Sequence, residues 1–158
     1  IVARAERGGG MRRGEAELRR ESLSRADLLA TIRTALGGRA AEIVYYGPEA
    51  GLTTGAASDL EYATRLARQL ICRYGMDDEF GPLAAPELLQ FAAAVGSPLY
   101  VQVSEAERTL LKRELERTVQ ALTANRSRLD TVAEALIARN RLLRLDLEAI
   151  LPPAATGL

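Results

Sequence analysis

Apolar residues recur at helical spacing through most of this chain. Leu28, Leu29, Ile32, Leu36, Ala40 and Ile43 share one face and predict a first helix. Ser24 stands at its N-cap position with Asp27 three residues on, and Tyr45-Tyr46-Gly47-Pro48 carries the stop signals. A second stripe, Leu60, Ala63, Ala67, Leu70, Ile71 and Tyr74, predicts a helix from about Ala56 to Tyr74, with Gly75 as its C′ residue. On its outer face Glu61 and Arg65 are spaced for an i,i+4 ion pair. Residues 75–103 read as a mostly irregular connection, broken by a short helix over Glu87–Val95. Ser104-Glu105-Ala106-Glu107 has the form of a capping box and opens a third helix to about Ala124, with Leu111, Leu115, Val119 and Leu122 inward. Ser127 and Asp130 repeat that signal for a fourth, with Leu129, Val132, Ala133, Leu136 and Ile137 as its stripe. Asp146–Leu151 suits one last turn before Pro152-Pro153. At the other end, Ile1–Arg7 suits a short strand, and Gly8-Gly9-Gly10 then breaks the chain. The fold class expected is mainly α: a helical bundle of about four main helices with a short N-terminal strand.

Two local choices stand out from this pattern. Gly37 and Gly38 interrupt the first helix, where each costs about 1 kcal/mol relative to Ala. That expense points to a break or to close approach by a neighbouring element. Leu52-Thr53-Thr54-Gly55 then makes a tight turn, and Asp59 falls in the first turn of the helix that follows. From position alone, Asp59 has two readings: a negative charge complementing the helix dipole, or a metal ligand.

Composition narrows the functions available. Lys and Arg total 21 against 21 for Asp and Glu, so no net field draws the chain to nucleic acid or an anionic surface. The densest charges, Arg12, Arg13, Arg19 and Arg20, are interleaved with Glu15, Glu17 and Glu21, which is a solvated loop and no nucleic-acid patch. The N-terminal glycines lack the Lys-Ser/Thr pair of a phosphate loop. With one cysteine there is no internal disulfide, and Cys72, inside a helical pattern, reads as a small buried apolar residue. With no histidine, Ser/His and Cys/His catalysis are excluded for these residues, as is a His-rich metal site. No apolar run is long enough to span a membrane. The chain opens on Ile1-Val2 with neither an initiator Met nor a signal peptide, and is expected to be cut from something longer.

Leu36-Gly37-Gly38-Arg39-Ala40-Ala41-Glu42, Thr53-Thr54-Gly55-Ala56-Ala57-Ser58-Asp59-Leu60-Glu61-Tyr62-Ala63-Thr64, Tyr74-Gly75-Met76 and Gly81-Pro82-Leu83 occur in this order. Together they closely resemble the peptidase domain of the FtsH family, membrane-anchored, ATP-dependent AAA+ zinc metalloproteases. Arg7-Gly8-Gly9 is similar to the Arg-Gly-Gly that follows the family's active-site strand. The resemblance covers roughly residues 1–150 and implies a peptidase domain over residues 1–151, N-terminally incomplete, with 152–158 a frayed tail.

In that family a helix carries His-Glu-x-x-His, two His binding zinc and the Glu serving as general base, while an Asp after the Thr-Thr-Gly turn is the third ligand. The matching residue here is Asp59, so the resemblance turns the two readings of Asp59 toward the metal. The His-Glu-x-x-His segment and the ATPase module are not among these residues. Zinc and ATP are therefore cofactors implied for a longer parent, and no catalytic residue lies in this chain. One carboxylate holds zinc poorly, so this polypeptide alone is expected to be inactive. For the parent, the resemblance implies protein substrates, a homo-hexamer, membrane attachment only through segments outside this chain, and a peptidase domain on the cytoplasmic or organelle matrix or stroma side. It also implies that unfolded substrate pairs with the edge of the Ile1–Arg7 strand. The alternative is a non-catalytic pseudoprotease or hexamer-assembly module in which Asp59 merely caps.

Overall fold

Ser24 starts the first helix as the sequence predicts. In the computed structural model, which describes residues 2–4, 7–10, 22–49, 51–89 and 97–151, its hydroxyl accepts from the Asp27 amide and the Asp27 carboxylate accepts from the Ser24 amide. Helix α1 runs over Arg25–Tyr46 and stops at Gly47, whose φ of 82° lies outside the range most side chains tolerate. Leu28, Leu29, Ile32, Leu36 and Ala40 are buried, and Ile43 is half-buried. Gly37 and Gly38 do not break the helix.

After α1 the chain turns back so closely that a Cβ on Gly51 would stand 2.1 Å from the Tyr46 Cβ. A short 3-10 turn, Thr54–Ala56, leads into α2 over Ala57–Arg68. A π-helical turn, Gln69–Arg73, continues it. The sequence predicts one uniform helix to Tyr74; the π turn fits an extra residue into the last turn and shifts its phase. Leu70, Ile71 and Cys72 face the core, while Tyr74, expected inward, is 42% exposed. The predicted Glu61–Arg65 pair is not formed among the described residues; the Arg65 guanidinium lies over the Tyr62 ring instead, 5.8 Å from its centroid.

Asp77 organises the connection that follows. Its carboxylate accepts from the amides of Glu79 and Phe80, while Arg25 donates to the Met76 carbonyl at 2.7 Å and pairs with Asp78. Pro86–Leu89 is a 3-10 turn, where a short helix over Glu87–Val95 is expected; residues 90–96 lie outside the described ones.

Helix α3 spans Pro98–Ala124 and starts six residues before the predicted Ser104. Its start signal is Ser97-Pro98: the Ser97 hydroxyl accepts from the Tyr100 amide at 3.1 Å, and proline occupies the first helical position, where its missing N–H costs nothing. The predicted inward face is also rotated. Val103, Ala106, Glu107, Leu110, Glu114 and Thr118 are buried, while Leu111, Leu115, Val119 and Leu122 are half-buried. Two carboxylates hold core positions because each has a cationic partner: Arg68 for Glu107, and Arg33 with Arg113 and Arg117 for Glu114.

The chain divides into two compact units, Ser22–Ala121 and a second made of Ile1–Glu21 with Leu122–Leu158. The first contains one continuous core built from α1, α2, the π turn and α3, with Ile32, Ala63, Ala67, Leu70, Ile71 and Val103 fully enclosed. In the second, β1 (Val2–Arg4) pairs antiparallel with β2 (Arg7–Gly10), Val2 opposite Gly10 and Arg4 opposite Arg7. Gly8, Gly9 and Gly10, expected to break the chain, continue β2, so in place of the single strand expected over Ile1–Arg7 there are two paired strands, and one edge of β1 is taken by β2. Helix α4 (Arg126–Arg139) begins at Arg126, which puts Ser127 inside its first turn in place of the expected cap. None of the α4 stripe is fully buried, and Ile137 is 78% exposed. Helix α5 (Arg144–Ile150) lies where the last turn is predicted, and the Leu143 amide donates to Asp146 Oδ2 at 2.8 Å. The charged stretch at 12–21 and the tail at 152–158 lie outside the described residues. The mainly helical class holds.

Candidate functional site

The Thr-Thr-Gly turn is shaped by one side chain. Thr53 sits in extended backbone, and its hydroxyl oxygen accepts from the Gly55 amide at 3.2 Å. The same hydroxyl donates its proton to Glu42 Oε1 on α1, so both capacities of the group are used. Arg39, one turn earlier on α1, completes the latch. Its Nη2 donates to the Thr53 carbonyl at 3.1 Å, and its Nη1 stands 3.2 Å from Glu42 Oε2, an ion pair without hydrogen-bond alignment. Arg39 and Glu42 are largely covered, so this pairing is less screened than a surface one. Both residues lie in the Leu36–Glu42 motif, and the motif alone gives neither a role. The available signal is an acid three residues after an arginine on one helix face, followed by a threonine turn.

Ala56, buried, ends the 3-10 turn, and α2 starts at once. That places Asp59 in the first turn of α2, where the helix dipole favours its charge. The carboxylate leans toward α1: its Oδ2 lies 3.9 Å from where a Cβ on Gly38 would stand. The predicted close approach is thus made by this side chain, at ordinary contact distance, and Gly37 meets nothing within 4 Å. Asp59 is exposed, and α2 has no side-chain cap bond. Among the described residues the Asp59 carboxylate has no hydrogen bond or ion pair.

The family model of peptidase family M41 matches residues 1–150. This chain belongs to peptidase family M41. The ATP-dependent zinc metalloprotease FtsH 4 of Sphaerobacter thermophilus is 37% identical over 150 residues, covering 87% of this chain and 22% of that protein. The ATP-dependent zinc metalloprotease FtsH 3 of Synechocystis is 32% identical over 166 residues, covering 96% of this chain and 26% of that protein. The ATP-dependent zinc metalloprotease YME1 homologue of Schizosaccharomyces pombe is 33% identical over 122 residues, 77% of this chain and 16% of that protein. The chain spans only about a fifth of the length of these relatives, between 16% and 26% of each.

Within this M41 domain the donor set for a metal is short. Among the described residues no cluster of three Asp, Glu or Cys side chains could hold an ion, and the chain has no histidine. Asp59 fits one place in such a set: a hard oxygen donor, exposed and without a competing partner. No helix among the described residues is long and apolar enough to cross a membrane.

Proposed function

We propose that this chain is the part of an M41 zinc metallopeptidase domain that supplies the carboxylate ligand of the metal, Asp59, and that residues outside it supply the imidazole ligands. The observation that carries this reading is the Asp59 carboxylate, which has no hydrogen bond or ion pair among the described residues and stands in the first turn of the helix that follows the turn tied by Arg39, Glu42 and Thr53. A carboxylate recruited as a cap at this position would be expected to accept from the N-cap amide, as Asp27 does from the Ser24 amide at the start of α1.

In the full-length protein Asp59 would hold zinc together with ligands from outside these residues, and the bound metal would supply Lewis-acid chemistry for peptide hydrolysis. What this chain contributes is position. The latch ties the turn to α1, the turn starts α2, and the start of α2 sets where the Asp59 oxygens stand. ATP dependence, protein substrates, hexamer formation and membrane attachment belong to the full-length protein in this reading, supported by the shared description of the relatives as ATP-dependent zinc metalloproteases and by the motif resemblance. The peptidase domain is taken to include residues 1–151. By itself the 158-residue chain binds zinc too weakly for turnover, because one carboxylate is a third of the protein ligands a catalytic zinc requires.

The test is Asp59→Asn in the full-length protein, an isosteric change that removes the charge. Zinc content by elemental analysis and proteolysis of casein should both fall to background. Retention of both would return Asp59 to a helix-dipole role and favour the assembly-module alternative.

A further inference from the structure

We propose that Arg39 is the positioning residue of the metal site, holding Asp59 in register through its fork to Glu42 and the Thr53 carbonyl; this rests on Asp59 being a zinc ligand. Two of its nitrogens are used on two different partners. Nη1 stands 3.2 Å from a carboxylate on its own helix, and Nη2 bonds a backbone oxygen across the turn at 3.1 Å. Glu42 in turn accepts the Thr53 hydroxyl proton, so the three groups close a ring of interactions between α1 and the turn. Thr53 is therefore held at its carbonyl and at its side chain together, which leaves the backbone there little freedom.

Asp59 lies six residues beyond Thr53, through a 3-10 turn and the first turn of α2. Both segments are short and internally bonded, so a displacement at Thr53 is carried to Asp59. The carboxylate has no partner of its own among the described residues to hold it in place. Its position is consequently set by the backbone, and the backbone is set by the latch. Lysine is a poor replacement for Arg39 in this role, because its one nitrogen has to serve both acceptors that two nitrogens of the planar guanidinium reach separately.

The experiment measures zinc itself as the probe. Full-length protein is prepared with Arg39→Gln, Arg39→Lys, Thr53→Val, Asp59→Asn and, as a control, Arg25→Gln, which cuts a different arginine tie at Met76 and Asp78. Zinc affinity is read by competition with a chromophoric chelator, and amide hydrogen exchange is followed over residues 54–60. Arg39→Gln and Arg39→Lys should weaken zinc by about ten- to a hundred-fold, the usual range for residues that hold a ligand in place, and speed exchange over that segment. Arg25→Gln should change neither. Wild-type zinc affinity in both Arg39 variants, with Asp59→Asn having lost zinc, would overturn the positioning role and leave the ligand reading standing. Wild-type affinity in Asp59→Asn would overturn both. Should the Arg39 variants fail to fold, Thr53→Val removes the hydroxyl alone, and undiminished affinity in it sinks the latch.

Discussion

Arg68 on α2 grips Glu107 on α3 through both prongs of a buried guanidinium: Nη2 donates to Oε2 at 2.7 Å, and Nε donates to Oε1. The Arg68 guanidinium also lies over the Tyr100 ring, its carbon 5.6 Å from the ring centroid. Glu107 holds the guanidinium above its ordinary pKa, chiefly through the hydrogen bond, while burial opposes. A raised pKa in the folded state means that this contribution is fully present below the unfolded value and is lost only in strong alkali. Cutting the pair from one side leaves a buried charge alone. Glu107→Gln or Arg68→Met should each cost about 3–5 kcal/mol in urea unfolding. The double replacement by apolar residues of similar volume should recover most of that loss.

Glu114 is fully buried, with Arg33 Nη1 at 2.7 Å, Arg117 Nη1 at 3.0 Å and Arg113 Nε at 3.3 Å. The three arginines share one carboxylate, so their individual losses should be small and the loss of the carboxylate large. Glu114→Gln should destabilise by about 3–5 kcal/mol. Arg117→Ala, at the more exposed end, should cost about 1 kcal/mol or less, and that effect should shrink in high salt.

The glycines differ sharply in what they tolerate. Gly37 lies in an α1 interior with open space around its Cβ position, so Gly37→Ala should raise stability by about 0.5–1 kcal/mol. Gly51 has the Tyr46 Cβ 2.1 Å from its own Cβ position, so Gly51→Ala must push the return of the chain off α1. A lowered denaturation midpoint for Gly51→Ala and a raised one for Gly37→Ala is the expected pair of results.

Cys72 sits in the π turn at 0% exposure. A thiol reagent should modify it at the rate at which the core opens, and immediately in denaturant. Rapid stoichiometric reaction of the native protein would contradict its place in the core.

Much of the candidate site is legible in the sequence. The Gly-Gly-Arg, Thr-Thr-Gly and Asp signals mark it, and the start of α1 at Ser24 and its stop at Gly47 are written in residues next to one another. Where the reading missed, the partner was far away in sequence. Glu107 looked like the closing acid of a capping box because Ser104 precedes it by three; its partner, Arg68, lies 39 residues upstream. Glu114 takes a core position for the same reason, and the buried α3 stripe lies about one position before the one the apolar pattern predicts.

The sequence by itself determined the helical class, the α1 caps, the burial of Cys72 and the family, because caps, periodicity and motif spacing depend on neighbours within a turn or two. The tertiary structure alone decided that charged side chains form part of the α3 core, that a π turn rotates Tyr74 outward, and that the turn after α1 is tied back to it. A buried charge is affordable only beside its counter-charge, and which residues stand beside each other is settled when helices pack.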